Sequence, residues 1–202
     1  MKFLFSILFV VATLALEAET TVAEQANLLF RERCTACHLD DGYGLKSMKV
    51  ASIAGLPRWY VTQQLRHFRD GKRGADAADT EGQMMQSMTQ TLDDKSIAFL
   101  GKHVQSMPPL KARRTLKDGD KTLGEKLYQA DCASCHGDKA GGVRSKLAPP
   151  LNVQIDWYLQ GQMIKFNKGI RSHHGGKNPT AAQMKDLLAY LSTLSKEEVK
   201  EK

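Results

Sequence analysis

An all-α architecture in two tandem copies is expected for this chain, on three grounds. The 202-residue sequence matches itself at a spacing of 98 residues, without a gap, from Phe30 to Arg73. Each copy opens with Cys-x-x-Cys-His, as Cys34 to His38 and again as Cys132 to His136. Apolar residues recur at helical spacing, and no stretch alternates as a strand would. Within the repeat, Phe30 falls on Tyr128, Trp59-Tyr60 on Trp157-Tyr158 and Gln64 on Gln162. Phe68 then falls on Phe166, Gly71 on Gly169 and Arg73 on Arg171. Agreement at so many separated positions marks a duplication in which each copy is one structural unit.

The elements follow in order. Residues 1–18 have the form of a signal peptide: Lys2 supplies the charged start, and the apolar run from Phe3 to Leu16 is short for a transmembrane helix. Cleavage is expected near Ala15 or Ala18, with an uncleaved anchor as the competing outcome. The first predicted domain spans 19–107. It opens with a helix over 24–33, in which Leu29 and Phe30 share a buried face. A glycine-containing loop over 40–44 comes next, then a helix from Pro57 that Gly71 stops, and a last helix over 93–105. A basic, proline-started connector occupies 108–118. The second domain, 119–202, repeats the plan with a helix over 123–131, a loop over 137–142 and a helix from Ile155 to Gly169. Its last helix runs over 180–194, with Thr180 placed to cap it. His67 is expected on an exposed helix surface.

All four cysteines belong to the two Cys-x-x-Cys-His segments. That pattern attaches c-type haem, in which two thiols bond the porphyrin vinyl groups and the adjacent histidine ligates the iron. Cys34, Cys37, Cys132 and Cys135 are therefore the expected attachment residues for two haem c groups, with His38 and His136 as iron ligands. Zinc sites and thioredoxin-like pairs share a bare Cys-x-x-Cys. An exported chain could also close four cysteines into two disulfides. The adjacent histidines favour haem, and pairs closed on themselves would staple almost nothing. Domains this small bury little apolar surface alone, so haem is expected to complete each core. Trp59, Tyr60, Phe68, Trp157, Tyr158 and Phe166 are expected to line haem pockets and helix contacts.

Composition is that of a globular protein, 42% hydrophobic and 25% charged, with a formal charge of +7. Haem propionates would make the true balance less basic. On an exported protein such a surface points to acidic redox partners or anionic lipid headgroups and not to nucleic acid. The expected location is the periplasm.

Three stretches carry a family resemblance: the two Cys-x-x-Cys-His segments, the twice-repeated Trp-Tyr-x-x-x-x-Leu/Met-x-x-Phe-x-x-Gly-x-Arg, and the segment from Met84 to Asp94. On these the chain resembles tandem class I cytochromes c of the dihaem c-four type. The resemblance implies two class I cytochrome c domains, each wrapped around one covalently bound haem c. Members of that family are periplasmic electron carriers that deliver electrons to terminal oxidases. Related dihaem subunits accept electrons from sulfur-compound dehydrogenases. The resemblance also implies a methionine as distal ligand, shortly before the leucine that introduces the last helix. That leucine is Leu92, which selects Met85, with Met84 and Met88 as competitors. Methionine opposite histidine raises the reduction potential.

The second half departs from the family pattern. A shift of 98 carries Met85 onto Gln183, beside Met184, yet the final helix arrives about 11 residues early. Aligned on that helix, the methionine position becomes Ser172, followed by His173 and His174. Either histidine as distal ligand would give bis-histidine iron and a lower potential. Met184 is a second possibility, and an open site, or one filled by Lys168 or Lys177, is a third. A solvated turn before Gly175-Gly176 is the plain structural alternative for the histidine pair. The family also orients each haem histidine through a backbone carbonyl. Pro149 or Pro150 fits that role in the second half, and Ala51 stands at the aligned position in the first. His103 takes the place of a family aromatic and is expected to pack.

A dihaem electron carrier with unequal haem potentials, not an enzyme, is the function expected. Its partners would be redox proteins with acidic docking surfaces, among them a membrane-bound oxidase or dehydrogenase. The alternative is an electron-accepting subunit or haem enzyme of sulfur-compound or peroxide chemistry, with a reactive second haem. Thiosulfate-oxidising enzymes of this kind use a cysteine as haem ligand, and no cysteine is spare here.

Overall fold

A computed structural model of the chain describes residues 23–110, 115–173 and 175–194. The signal segment expected over 1–18, residues 111–114 of the connector, and His174 lie outside the described residues. The first half comprises α1 (23–33), α2 (Thr35–His38), α3 (Arg58–Arg69), α4 (Thr80–Thr89) and α5 (Asp94–Ser106). The second comprises α6 (Lys121–Asp131), α7 (Ala133–His136), α8 (Asp156–Asn167) and α9 (Ala181–Leu194). Among the described residues no strand forms, and a single isolated bridge joins Val143 to Ala148. No helix among them is long and apolar enough to cross a membrane.

Local chemistry sets the helix ends. The Asp93 carboxylate accepts from the Ser96 amide at 2.7 Å and starts α5, and Asp120 does the same for α6 through the amides of Thr122 and Leu123. Before α9, the Thr180 hydroxyl accepts from the Gln183 amide at 3.3 Å while the Gln183 side chain accepts from the Thr180 amide at 2.9 Å. This reciprocal capping box extends the role expected of Thr180 alone. Gly71 and Gly169 take the left-handed backbone that stops α3 and α8.

The equivalence of the halves breaks at α4. Helix α8 trails α3 by 98 positions, whereas α9 trails α5 by only 87. The residues lost between them are those that build α4, so between α8 and α9 the described residues 168–173 and 175–180 form no helix.

Each half has its own apolar cluster. Phe30, Leu56, Val61, Ile97, Leu100 and Val104 form the first; Tyr128, Leu159, Leu187, Leu188, Tyr190 and Leu191 form the second. Helix α6 crosses α9 so closely that a Cβ at Gly124 would overlap the backbone of Asp186. The Phe30 and His103 rings lie 4.8 Å apart, and Tyr128 and Tyr190 repeat that contact at 5.5 Å. His103 therefore packs, as expected of a residue standing in for an aromatic. His67 is half-buried on α3, not exposed.

The two halves meet along a largely polar seam. Val153 packs on the first apolar cluster, and the Gln154 side chain donates to the Ser52 carbonyl. Past the connector, Thr115 and Leu116 donate their amides to the Asp156 carboxylate at 2.5 and 2.7 Å, which ties the chain to the start of α8.

Candidate functional site

The two Cys-x-x-Cys-His segments adopt one conformation twice. Helices α2 and α7 are each a single turn that begins after the first cysteine and ends on the histidine. His38 Nδ1 lies 3.1 Å from the Ala51 carbonyl, and His136 Nδ1 lies 2.8 Å from that of Pro149. A carbonyl only accepts, so Nδ1 carries the proton and Nε2 is left as the basic nitrogen on both rings. The carbonyl role expected in the second half thus falls to Pro149, and Ala51 fills the same role without a proline. Burial pushes both imidazoles below their ordinary pKa, against the opposing hydrogen bonds from Ala51 and Pro149. The neutral ring this favours is the ligating form.

All four cysteines lie at half-buried positions. Burial raises Cys34 to about 11, with Arg33 opposing and Cys37 adding; burial likewise raises Cys132 to about 11, with Asp131 and Cys135 adding.

In the second half the structure brings His136 and His173 together. Their ring centres stand 6.4 Å apart, with the planes 29° from parallel. Two imidazole nitrogens, each bound at about 2.0 Å to one metal, would hold their ring centres about 6.2 Å apart. The observed spacing therefore suits an iron between them. His173 is held from behind: its ring stacks on Phe166 at 4.5 Å, and its Nδ1 lies 3.3 Å from the Asn178 side-chain oxygen. A Cβ at Gly176 would run into the same ring, so only glycine leaves room for it. Met184 is buried in α9 at the position that Ile97 occupies in α5, which is a core position. Lys177 is engaged with Asp131 at 2.7 Å, and Lys168 is exposed.

In the first half, His38 is buried, and the three methionines ride on α4. Met84 and Met88 are 48% and 43% exposed, whereas Met85 is the half-buried one of the three.

Sequence reasoning did not foresee what the aligned residues of the two halves do to each other. Arg73 donates to Gln64 of its own half at 2.7 Å, and across the seam to Tyr158 and Gln162. Arg171 mirrors this, with Gln162 in its own half and Tyr60 and Gln64 across. The two arginines also lie over the rings of Phe68 and Phe166, at 4.4 and 5.1 Å. Burial pushes the Tyr60 hydroxyl up, but Arg171 and Arg73 more than offset it and leave the net shift downward. Arg73 Nε and Ser52 Oγ remain buried without an acceptor or donor. A buried guanidinium nitrogen lacking an acceptor fits a group that brings carboxylates to the seam, as haem c does with its propionates.

Comparison with known proteins agrees with this chemistry. Residues 122–195 match the family described as cytochrome c. Cytochrome c-552 of Acidithiobacillus ferridurans is 29% identical over 95% of this chain and 86% of its own length. The thiosulfate dehydrogenase electron acceptor of Thiomonas intermedia is 29% identical over 69% of this chain and 64% of its own. The solved cytochrome c4 of Acidithiobacillus ferrooxidans superposes with a TM-score of 0.67 at 27% identity, covering 80% of this chain and 98% of that one. Haem c, attached at the two cysteine pairs, is therefore the group these residues hold.

Proposed function

Because this chain is a cytochrome c4-like dihaem cytochrome of all-α, class I fold, we propose that it carries electrons between two protein partners through haems with unequal axial ligands. Residues 19–107 and 119–202 form one haem domain each, joined by the connector over 108–118. Cys34 and Cys37 anchor the first haem, with His38 and Met85 on its iron. Cys132 and Cys135 anchor the second, with His136 and His173 on its iron. Haem supplies the one-electron ferric/ferrous couple. The protein's part is to fix the ligand set, exclude water and tune the two potentials apart.

The observation that carries this reading is the 6.4 Å spacing of the His136 and His173 rings, which the first half does not repeat. Thioether sulfur favours ferrous iron, so the first haem takes the higher potential and the second the lower. Electrons entering at the second haem would then run downhill to the first. The periplasm is the proposed location, supported by the signal-like segment over 1–18. A sulfur-compound dehydrogenase is the proposed donor, supported by the similarity to a thiosulfate dehydrogenase electron acceptor, and a terminal oxidase the proposed acceptor. Acidic docking surfaces on those partners would suit the basic chain.

An optical and EPR redox titration of the holoprotein tests the assignment. The expected result is two one-electron steps, with the methionine–iron charge-transfer band belonging to the upper one and a bis-histidine low-spin signal to the lower. A high-spin second haem that binds carbon monoxide would replace the pure carrier with a haem enzyme.

A further inference from the structure

We propose that Lys165, on α8 of the second half, is a positioning residue for the methionine ligand of the first half; this rests on the assignment of Met85. Lys165 has only 15% of its side chain exposed, and its ammonium bonds both Asp79 and Glu81, the latter at 2.7 Å. These two carboxylates belong to the start of α4. Asp79 is buried and is the N-cap of that helix, accepting from the Gly82 amide at 3.0 Å. Glu81 sits in the first turn, and its other oxygen meets Lys49 at 3.3 Å. Lys49 lies two residues before Ala51, whose carbonyl orients His38. One lysine from the second half thus holds together the distal helix of the first haem and, through Glu81, the loop behind its proximal histidine.

Helix α4 needs such a hold. It has 10 residues, Met84 and Met88 are largely exposed, and a helix that short is marginal without tertiary support. The cluster is not a by-product of the duplication. Lys165 aligns with His67 by the repeat, and among the described residues the second half has no helix equivalent to α4. Phe166, next in sequence to Lys165, stacks on His173. The lysine therefore stands between the wall of the second haem site and the helix that presents Met85. Removing its charge would leave two carboxylates facing each other in a partly buried space and push the start of α4 outward.

The test is an imidazole titration of the ferric holoprotein, followed by loss of the methionine–iron charge-transfer band, in wild type, Lys165→Met and Glu81→Gln. Added imidazole binds the first haem only when Met85 lets go, so the half-displacing concentration reports how firmly the helix holds the sulfur. It is expected to fall about tenfold in Lys165→Met, with far-UV circular dichroism and the EPR signal of the second haem unchanged. Glu81→Gln keeps the Asp79 cap and is expected to shift it less, in the same direction; it carries the test alone if Lys165→Met does not fold. Wild-type displacement in both variants would overturn the proposal while leaving Met85 as ligand. A wild-type protein without the band would remove the Met85 assignment and the proposal with it.

Discussion

The guanidinium of Arg73 leaves its own half to meet the hydroxyl of Tyr158, 3.2 Å away on the other side of the seam. Arg171 returns the contact to Tyr60 at 3.4 Å. Because these residues are paired by the 98-residue repeat, the two halves meet as a pseudo-twofold pair, with the same patch used on both sides. Such self-complementarity is what a homodimer interface leaves behind when its subunits are joined in one chain. The cation is buried and its partners are neutral hydroxyl and amide groups, so no single bond replaces water; the network does so collectively.

Arg73→Gln should therefore destabilise the holoprotein by about 2–4 kcal/mol, since it removes the guanidinium that Tyr158 accepts from and leaves Gln64 with only the 3.5 Å contact from Arg171 in a partly buried space. Guanidinium unfolding measures this. Arg171→Gln should cost a similar amount. The two arginines share Gln64 and Gln162 as acceptors, so the double variant should depart from additivity by at least about 0.5 kcal/mol. Strict additivity would mean that the two clusters are separate.

The repeat register made the halves legible, but not how they dock. It aligned Tyr60 with Tyr158, Gln64 with Gln162 and Arg73 with Arg171, because duplication preserves side chains. Nothing in that register says that a residue meets the partner of its neighbour across the seam, since contact is a property of the assembled pair. Helix α4 was missed for a different reason. Thr80 to Thr89 has no wide apolar face, and periodicity finds only helices that bury a stripe. Asp79 as an N-cap was the signal that could have found it. The two Cys-x-x-Cys-His segments stand out in the sequence because the covalent reach of a haem c sets their spacing.

Acid should loosen the seam through Glu81. Burial pushes its carboxyl up, but the hydrogen bond and charge of Lys165, with help from Lys49, bring it from the ordinary 4.5 down to about 2. A carboxylate whose folded-state pKa lies below its unfolded one contributes stability that is complete above about pH 4.5 and is lost as pH falls towards 2. Solvent screening at this partly exposed pair holds the contribution to about 1 kcal/mol. Glu81→Gln should flatten the stability profile of the holoprotein over that window and leave its slope above pH 5 unchanged. A wild-type acid limb in the variant would show that other carboxylates govern it.

Haem attachment should prove separable between the halves. Replacing Cys132 and Cys135 together by alanine should lower haem content from two groups per chain to one. It should also cost the helical signal of α6, α8 and α9, because the second apolar cluster is too small to hold them alone. Haem content by pyridine haemochrome and helicity by circular dichroism check both parts. Retained helicity would mean that the second core is sufficient without its haem.

Gly176 gives the sharpest check on the distal ligand of the second haem, because it acts on His173 without changing it. The ring occupies the space a Cβ would take, so Gly176→Ala must push it off the Phe166 face and away from His136. If His173 is the ligand, the low-spin EPR signal of the second haem should broaden or convert in part to high spin. Its potential should then rise by on the order of 0.1 V, while the methionine–iron band of the first haem stays as it was. His173→Ala should complete the conversion to high spin, and His174→Ala should leave the signal unaltered. An unperturbed signal in Gly176→Ala, together with loss in His174→Ala, would move the iron bond to the neighbouring histidine. The stacked geometry on Phe166 would then be a packing contact and nothing more.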